Sequence, residues 1–550
     1  MTTFFFRSFV AVILIVSSLS MSAAQAPAAV SPVVIEDFSV GTATTSGYLL
    51  GTSPANGSGS LASVPLSGGS PTPLTAPNYV SYVVSPAGDR VVFYGAPYGV
   101  TLPHPNDSSR YWSVPVAGGT PVMLSEPTYA YPPLMQSPRF SPDGRTLTYI
   151  ESDPALYGGG THVLKSRLVD GSAPAARLSP DSGIVAKWAI SPDSRWVVIW
   201  IGDSYGAVIG ASTERWSIEN SRMVRVPLHG PNSSAVTLDS TPGARGIYGT
   251  QAFSPDGSHM IYVLDGSVWS VNLTNGTKVR LSPDGQSVDP EAAALLVNPA
   301  NVAIWNTGPS SPVFATPVTG PAAASRNLSA GLPGPILSQV GRPPWKASPG
   351  GDYVVMRVNE GVYSVAVNDP AASPVLLADG GGQGLSFWVT SDRLVFRTTS
   401  HIYSIPLQGP TGVESTVLVP ISANLAANPI SPDGSTIVGA MFREQTWDVF
   451  SVPVTGPSQN ARNESYGSSQ LNLIAADYWF FAPNSKHLVA RDATMNTAYV
   501  FSIGSGPRTL RLSTDCSAEG SGLTVTPTPE QIHHLFLPSV GRCILTSSSP

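Results

Sequence analysis

Three features of this 550-residue chain predict an all-β fold in which four-stranded sheets repeat around an axis, a β-propeller. A Ser-Pro-Asp-Gly motif recurs along most of the sequence, strand-length runs follow each copy, and the composition suits many strands joined by many turns. Gly (52) and Pro (53) are abundant and charged residues make up only 12 %, about half the usual ~25 %. The surface must then be covered by Ser, Thr, Asn, Gly and backbone. A hydrophobic content of 42 % argues against disorder. The length exceeds one ordinary domain unless the chain is built from repeats.

The motif stands complete at 141–144, 254–257 and 431–434, and as variants at Ser85-Pro86-Ala87-Gly88, Ser191-Pro192-Asp193-Ser194 and Ser348-Pro349-Gly350-Gly351. Weaker echoes are Asn298-Pro299, Ser391-Asp392 and Ala482-Pro483-Asn484. Pro ends a strand, Asp bonds backbone two residues on, and Gly supplies positive φ. Recurrence in successive units gives Asp143, Asp193, Asp256 and Asp433 a turn-forming role rather than a catalytic one. A second strand follows, as in Arg90–Tyr94, Thr146–Ile150, Trp196–Trp200 and Met260–Val263. A third alternates apolar and small residues, as in Tyr111–Val116, Val268–Val271, Val362–Val365, Ile402–Leu407 and Val449–Val454. Pro in several of these should lie at a strand end or bulge. Short fourth strands such as Pro121–Leu124 and Val279–Leu281 complete each unit.

The unit resembles the WD40-like repeat of the TolB family, periplasmic propellers of the Tol–Pal system, and the propeller domains of prolyl oligopeptidases. The resemblance covers residues 80–513, with a degenerate first blade in 25–79 that ends on Leu61–Leu66. It implies blades of four strands. The TolB propeller is preceded by a small α/β domain, and a counterpart is not expected in this sequence, which goes almost straight into β-like runs. About ten units can be counted, which makes either one large ring or two tandem propellers. The loosest stretch, 285–345, could hold a boundary. The tail 514–550 departs from the pattern and reads either as a stapled flap or as a closing strand at Leu535-Phe536-Leu537.

Phe4–Leu19 is apolar, follows no carboxylate and carries Arg7; small residues Ser22-Ala23-Ala24 come next. This is the pattern of a signal peptide, residues 1–24, cut near Ala24. Secretion or periplasmic export is expected, with no membrane span after cleavage. The two cysteines, Cys516 and Cys543, lack zinc-site spacing, and in an exported chain they are expected to form a disulfide. The net charge is −6 and no basic run occurs, so nucleic acid is not an expected partner. The eight His show no ligand spacing, and neither metal nor cofactor is expected.

Gly202-Asp203-Ser204-Tyr205-Gly206 fits the G-x-S-x-G elbow of hydrolases. The elbow needs a following helix, none is patterned here, and a glycine-permitted loop is the expected structure. No catalytic residue is assigned. Long second-to-third strand connections at Gly95–Arg110, Glu151–His162 and Gly202–Ser221 contrast with short ones such as Asp265-Gly266. Long loops on a rigid scaffold are disproportionately functional. They carry Tyr98, His104, Arg110, Asp153, Tyr157, Asp203, Tyr205, Arg215 and Trp216 as candidate binding residues. The expected function is non-catalytic binding of a protein, peptide or glycan by a monomer. The alternatives are an enzyme with its site in the central pocket, a hydrolase or lyase, and a Tol–Pal-like envelope component.

Overall fold

In the computed structural model the Ser-Pro-Asp-Gly motif is a hydrogen-bonded turn with the serine at its centre. At residues 141–146 the Ser141 hydroxyl donates to Asp143 Oδ1 (2.5 Å) and accepts from the Thr146 N–H (2.9 Å). Gly144 N–H returns to the Ser141 carbonyl at 2.8 Å. The same acceptor position is filled in nine of ten turns, by Thr44, Ser85, Ser141, Ser191, Ser254, Asn298, Ser348, Thr390 and Ser431. All nine are buried. The echo at Asn298 is thus a full turn, and Thr390 does the work at the Ser391-Asp392 echo.

Loss of this hydroxyl strands a buried N–H, which costs about 1–3 kcal/mol. Ser254→Ala is expected to lose that much, and Pro255→Ala no more than about 1 kcal/mol. Urea midpoints check the comparison; equal shifts would return the turn to its proline.

The described residues lie between 33 and 512, plus 533–536 and 544–547. Within the span, those outside the description are 36–38, 54–59, 69, 77–80, 96–109, 127–137, 153–161, 181–183, 203, 209–214, 220–221, 241–250, 290–292, 309, 338–344, 380–385, 398–400, 410–415, 421–422, 425–428, 444–445, 457–461, 465–478, 493–496 and 505–510. The expected signal peptide, Cys516 and Cys543 all lie outside the described residues.

The strands form nine four-stranded antiparallel sheets and one five-stranded sheet. Blade 1 comprises Ser39–Ala43, Tyr48–Ser53, Ser60–Pro65 and Thr72–Pro73. Blades 2 to 9 repeat the order, with second strands at Arg90–Tyr94, Thr146–Ser152, Trp196–Gly202, His259–Leu264, Val302–Asn306, Tyr353–Val358, Arg393–Arg397 and Thr436–Arg443. Third-strand prolines Pro65, Pro115, Pro227, Pro317, Pro406 and Pro453 each end their strand, where no further ladder bond is required.

Blade 10 takes Trp479–Phe481, His487–Asp492 and Thr497–Ser502 from the C-terminal side. Its fourth strand is Val33–Ile35 from the N-terminal side, antiparallel to Thr497–Ser502, with Arg511–Leu512 added in parallel outside it. The expected closing strand at Leu535-Phe536-Leu537 is corrected: His533–Phe536 pairs with Ile544–Ser547 in a separate hairpin.

A sheet buried on both faces needs apolar neighbours on both sides, and each junction supplies its own cluster. Leu50 and Leu61 of blade 1 pack with Val91 and Phe93 of blade 2. Ile150 and Leu164 of blade 3 pack with Trp188 and Ile199 of blade 4. Ten such clusters join successive blades, and the last sets Val489 and Val500 of blade 10 against Leu49 and Val64 of blade 1. The ring is therefore single and closed. The loose stretch at 285–345 holds blade 6, packed on both sides, and no boundary.

The first strand of each blade lies nearest the axis. First strands of neighbouring blades touch one another at Ser81–Val84 with Arg139–Phe140 and at Gln251–Phe253 with Leu295–Val297. The turns that follow them also interlock across blades: Ser194 Oγ meets the Asp143 N–H, and Ser485 Oγ meets the Asp433 N–H. Gly257, at φ +70°, could not carry a Cβ, which would stand 2.5 Å from Asp193 of the preceding blade.

Candidate functional site

Antiparallel order places the first-to-second turns on one rim of the ring and the second-to-third connections on the other. Most connections on that second rim are short: residues 265–266 in blade 5, 359–360 in blade 7 and 444–445 in blade 9. Blades 2, 3 and 4 differ, with connections over 95–110, 153–161 and 203–221. These three blades are consecutive, so the long segments emerge from one sector of the ring.

In blade 4 the connection folds as a second ribbon, Ser204–Val208 paired with Arg215–Glu219. Tyr205 is opposite Ile218, Ala207 opposite Trp216 and Val208 opposite Arg215. This corrects the expected loop at Gly202–Gly206. Ser204 sits in a strand paired with Glu219 where a hydrolase elbow would turn into a helix, so the elbow geometry is not formed.

In blade 2, Arg110 closes the base of its connection. Its guanidinium bonds Glu126 at 3.1 Å and the Ser125 carbonyl at 3.2 Å. Beneath it Tyr94, Tyr111 and Tyr149 form an aromatic floor with ring centroids 5.3 and 5.6 Å apart. Burial, and then the neighbouring Tyr94, push the Tyr111 phenol up to about 12. It stays protonated, as a packing group. Tyr98, His104, Asp153, Tyr157 and Asp203 lie outside the described residues.

The turn carboxylates are committed to their own backbone. Asp256 Oδ1 accepts from Ser254 Oγ (2.6 Å), Ser258 N (2.9 Å) and Ser258 Oγ (2.7 Å). Burial raises the Asp256 pKa, but these donors and Asn301 outweigh it and hold the carboxyl well below the usual range. Asp433 is lowered in the same way: burial opposes, while Ser431 and Ser435 prevail. A carboxyl depressed in the folded state contributes stability that is complete above the unfolded value of ~3.9 and is lost progressively as pH falls from there through the lower folded value. The urea midpoint is expected to hold from pH 7 to about 5 and to fall below about 4. An Asp256→Asn, Asp433→Asn double variant should show a shallower fall; an identical profile would assign acid sensitivity elsewhere.

The axial wall has a different character, and sequence reading passed it over. The described first-strand residues include Arg139, Lys187 and Lys346 and no carboxylate. Arg139 and Lys187 stand on blades 3 and 4, Gln251 on blade 5. Lys187 Nζ bonds Gln251 Oε1 at 2.5 Å and lies 5.6 Å from the Trp200 ring centroid. The Arg139 guanidinium lies 5.8 Å from the Trp188 ring centroid. Trp188 is fixed in turn by its indole N–H on Thr148 Oγ1 at 2.9 Å. Burial, then the charge of Arg139, pull the Lys187 ammonium below the ordinary lysine range. Lys346 bonds the Phe387 carbonyl and lies over that ring.

No family model matches the chain, and no curated protein matches it. Solved structures of similar fold include a eukaryotic initiation factor at 11 % identity and TM-score 0.42, covering 80 % of this chain and 90 % of that one. TolB from Acinetobacter baumannii is similar at 13 % identity and TM-score 0.26, over 64 % of this chain and 74 % of its own. A prolyl endopeptidase is similar at 13 % identity and TM-score 0.33, over 66 % and 54 %. Both kinds of propeller that the repeats resemble are thus among the structural neighbours. Likeness this distant concerns the fold alone.

Proposed function

We propose that the chain is a non-catalytic binding scaffold, exported from the cell, that presents the loop-bearing rim of blades 2, 3 and 4 to a protein, peptide or glycan. The observation that carries this reading is the asymmetry of that rim: three consecutive long connections on a ring whose other described blades turn in a few residues. Rigid blades hold such segments in register at little entropic expense, and surface loops tolerate the added length. Tyr98, His104, Arg110, Asp153, Tyr157, Asp203, Tyr205, Arg215 and Trp216 are the proposed contact residues, aromatic and Arg side chains being common interface anchors. Arg110 has a second duty at the loop base, so its replacement would loosen the loop as well.

No helix among the described residues is long and apolar enough to cross a membrane. This is compatible with export of the mature chain.

Photo-crosslinking residues placed at Tyr205 and Trp216 test the reading against control positions Ser194 and Ser435 on the opposite rim. Specific adducts in envelope extract are expected from the first pair only. A Tyr205→Ala, Arg215→Ala, Trp216→Ala variant should lose capture at unchanged melting temperature. Equal adducts from both rims would remove the loop rim as the binding face.

A further inference from the structure

Two cations, Arg139 and Lys187, stand on neighbouring inner strands, and the described residues of those strands include no carboxylate. Arg139 is exposed and Lys187 half-buried. No carboxylate of the described residues pairs with either, and among those residues the hydrogen-bond partner of Lys187 is the neutral Gln251 amide. Gathering like charges in a partly dehydrated place is unfavourable unless a counter-charge arrives. The chain as a whole is acidic, at −6, which makes this local inversion of sign specific.

The surroundings are built to hold the two groups. Each cation lies against an indole, Arg139 against Trp188 and Lys187 against Trp200. Both indoles are almost fully buried, at 1 % and 2 % exposure, so the platforms are rigid. The Trp200 indole N–H is buried with no partner. Guanidinium has five donors in a fork and ammonium three, and among the described residues the Lys187–Gln251 bond is the one that draws on them. Planar or tetrahedral oxyanions match that donor set.

We infer that the inner strands of blades 3, 4 and 5 form an oxyanion site in the central channel, where Arg139 and Lys187 bind a carboxylate or phosphate group beside the Gln251 amide. The site shares its sector with the long connections of blades 3 and 4. It names the chemistry of the ligand that this sector would hold, and to that extent it rests on the binding reading above. A ligand reaching from the loop rim into the channel would meet aromatic and polar loop residues first and the two cations below.

Titration calorimetry with inorganic phosphate in one arm and citrate in the other tests the site. Saturable binding is expected in at least one arm, weakening as salt rises; the tighter arm tells phosphate-bearing from carboxylate-bearing ligands. Lys187→Met and Arg139→Gln should each weaken it by about tenfold or more, the worth of one charge-assisted hydrogen bond. Gln251→Glu keeps the side-chain shape, supplies Lys187 with its own carboxylate and should abolish binding even if Lys187→Met folds poorly. The Tyr205→Ala, Arg215→Ala, Trp216→Ala variant should still bind the small anion while losing partner capture, so failure of the loop reading and failure of the channel site are seen separately. No saturable binding up to about 10 mM, or binding equal in wild type and Gln251→Glu, overturns the site.

Discussion

Replacement of Trp305 by alanine is expected to destabilise the ring by about 3–5 kcal/mol, the range for deleting a buried aromatic side chain. Trp305 is fully buried at the junction of blades 5 and 6. Its ring stacks on Phe314 with centroids 4.5 Å apart, and its indole N–H donates to Thr316 Oγ1 at 3.1 Å. Alanine would leave a cavity facing Ile261, Val263 and Val268 of the preceding blade and would remove one of the two hydrogen bonds of the Thr316 hydroxyl, which keeps its bond to Ser325 Oγ at 3.0 Å. The blades on either side are closed sheets whose ladders resist collapse into that space. Propeller junctions also contribute as nearest-neighbour terms, so the loss weakens contact between two blades rather than one fold element. Urea unfolding of the full chain, read by tryptophan fluorescence and circular dichroism, checks the value. A shift equivalent to less than about 1 kcal/mol would show that the junction repacks and that inter-blade clusters are not what holds the ring.

Much of this architecture is legible in sequence because propeller signals are local. Period-two runs bounded by Pro and Gly place the second strand of blade 2 at Arg90–Tyr94, where it is found. The third-strand prolines read as strand ends or bulges for the same local reason, and the structure places them at strand ends. What escaped reading depends on partners far along the chain. The buried serine of the turn looked incidental beside Pro, Asp and Gly, yet it is the group that ties the two strands together. Once Asn298 or Thr390 takes its place, the residue type changes while the acceptor persists, and the repeat becomes hard to see. That is why blade 6 read as the loosest stretch although it packs as tightly as its neighbours.

The candidate site divides along the same line. Long connections announce themselves by length, and blades 2, 3 and 4 could be singled out from spacing. Arg139, Lys187 and Gln251 could not, since each is unremarkable in its own repeat and the ring alone brings them together. One signal was available: in a chain with 35 Asp and Glu, the described inner strands leading into the turns contain none. Uniform absence of one sign of charge at an equivalent repeat position points to a shared surface, here the axial wall.

Removal of residues 25–38 is expected to open the ring, with a loss on the order of 5 kcal/mol. Val33, Val34 and Ile35 pair with Val500, Tyr499 and Ala498, and Val34 and Ile35 pair again with Arg511 and Leu512. At about 1 kcal/mol net for each backbone pairing, these ladders alone reach that figure. Covalent geometry adds to the effect, because this strand joins directly to blade 1 and latches the two chain ends into one sheet. Without it, blade 10 is held to blade 1, among the described residues, through the cluster of Val489, Val500, Leu49 and Val64 and the approach of Ser39–Ala43 to Thr497–Ser502. The outer edge of Thr497–Ser502 would be left with unpaired N–H and C=O groups, an edge that invites pairing with another chain. Cleavage expected near Ala24 would spare the strand, so processing and closure are compatible. The truncated protein should melt at lower temperature, be cut by protease within blade 10 before the other blades, and self-associate in sedimentation. A peptide of residues 30–38 added in excess should reverse all three. If the truncated chain keeps the melting temperature and protease pattern of the intact one, the cluster between blades 10 and 1 suffices and the N-terminal strand is no latch.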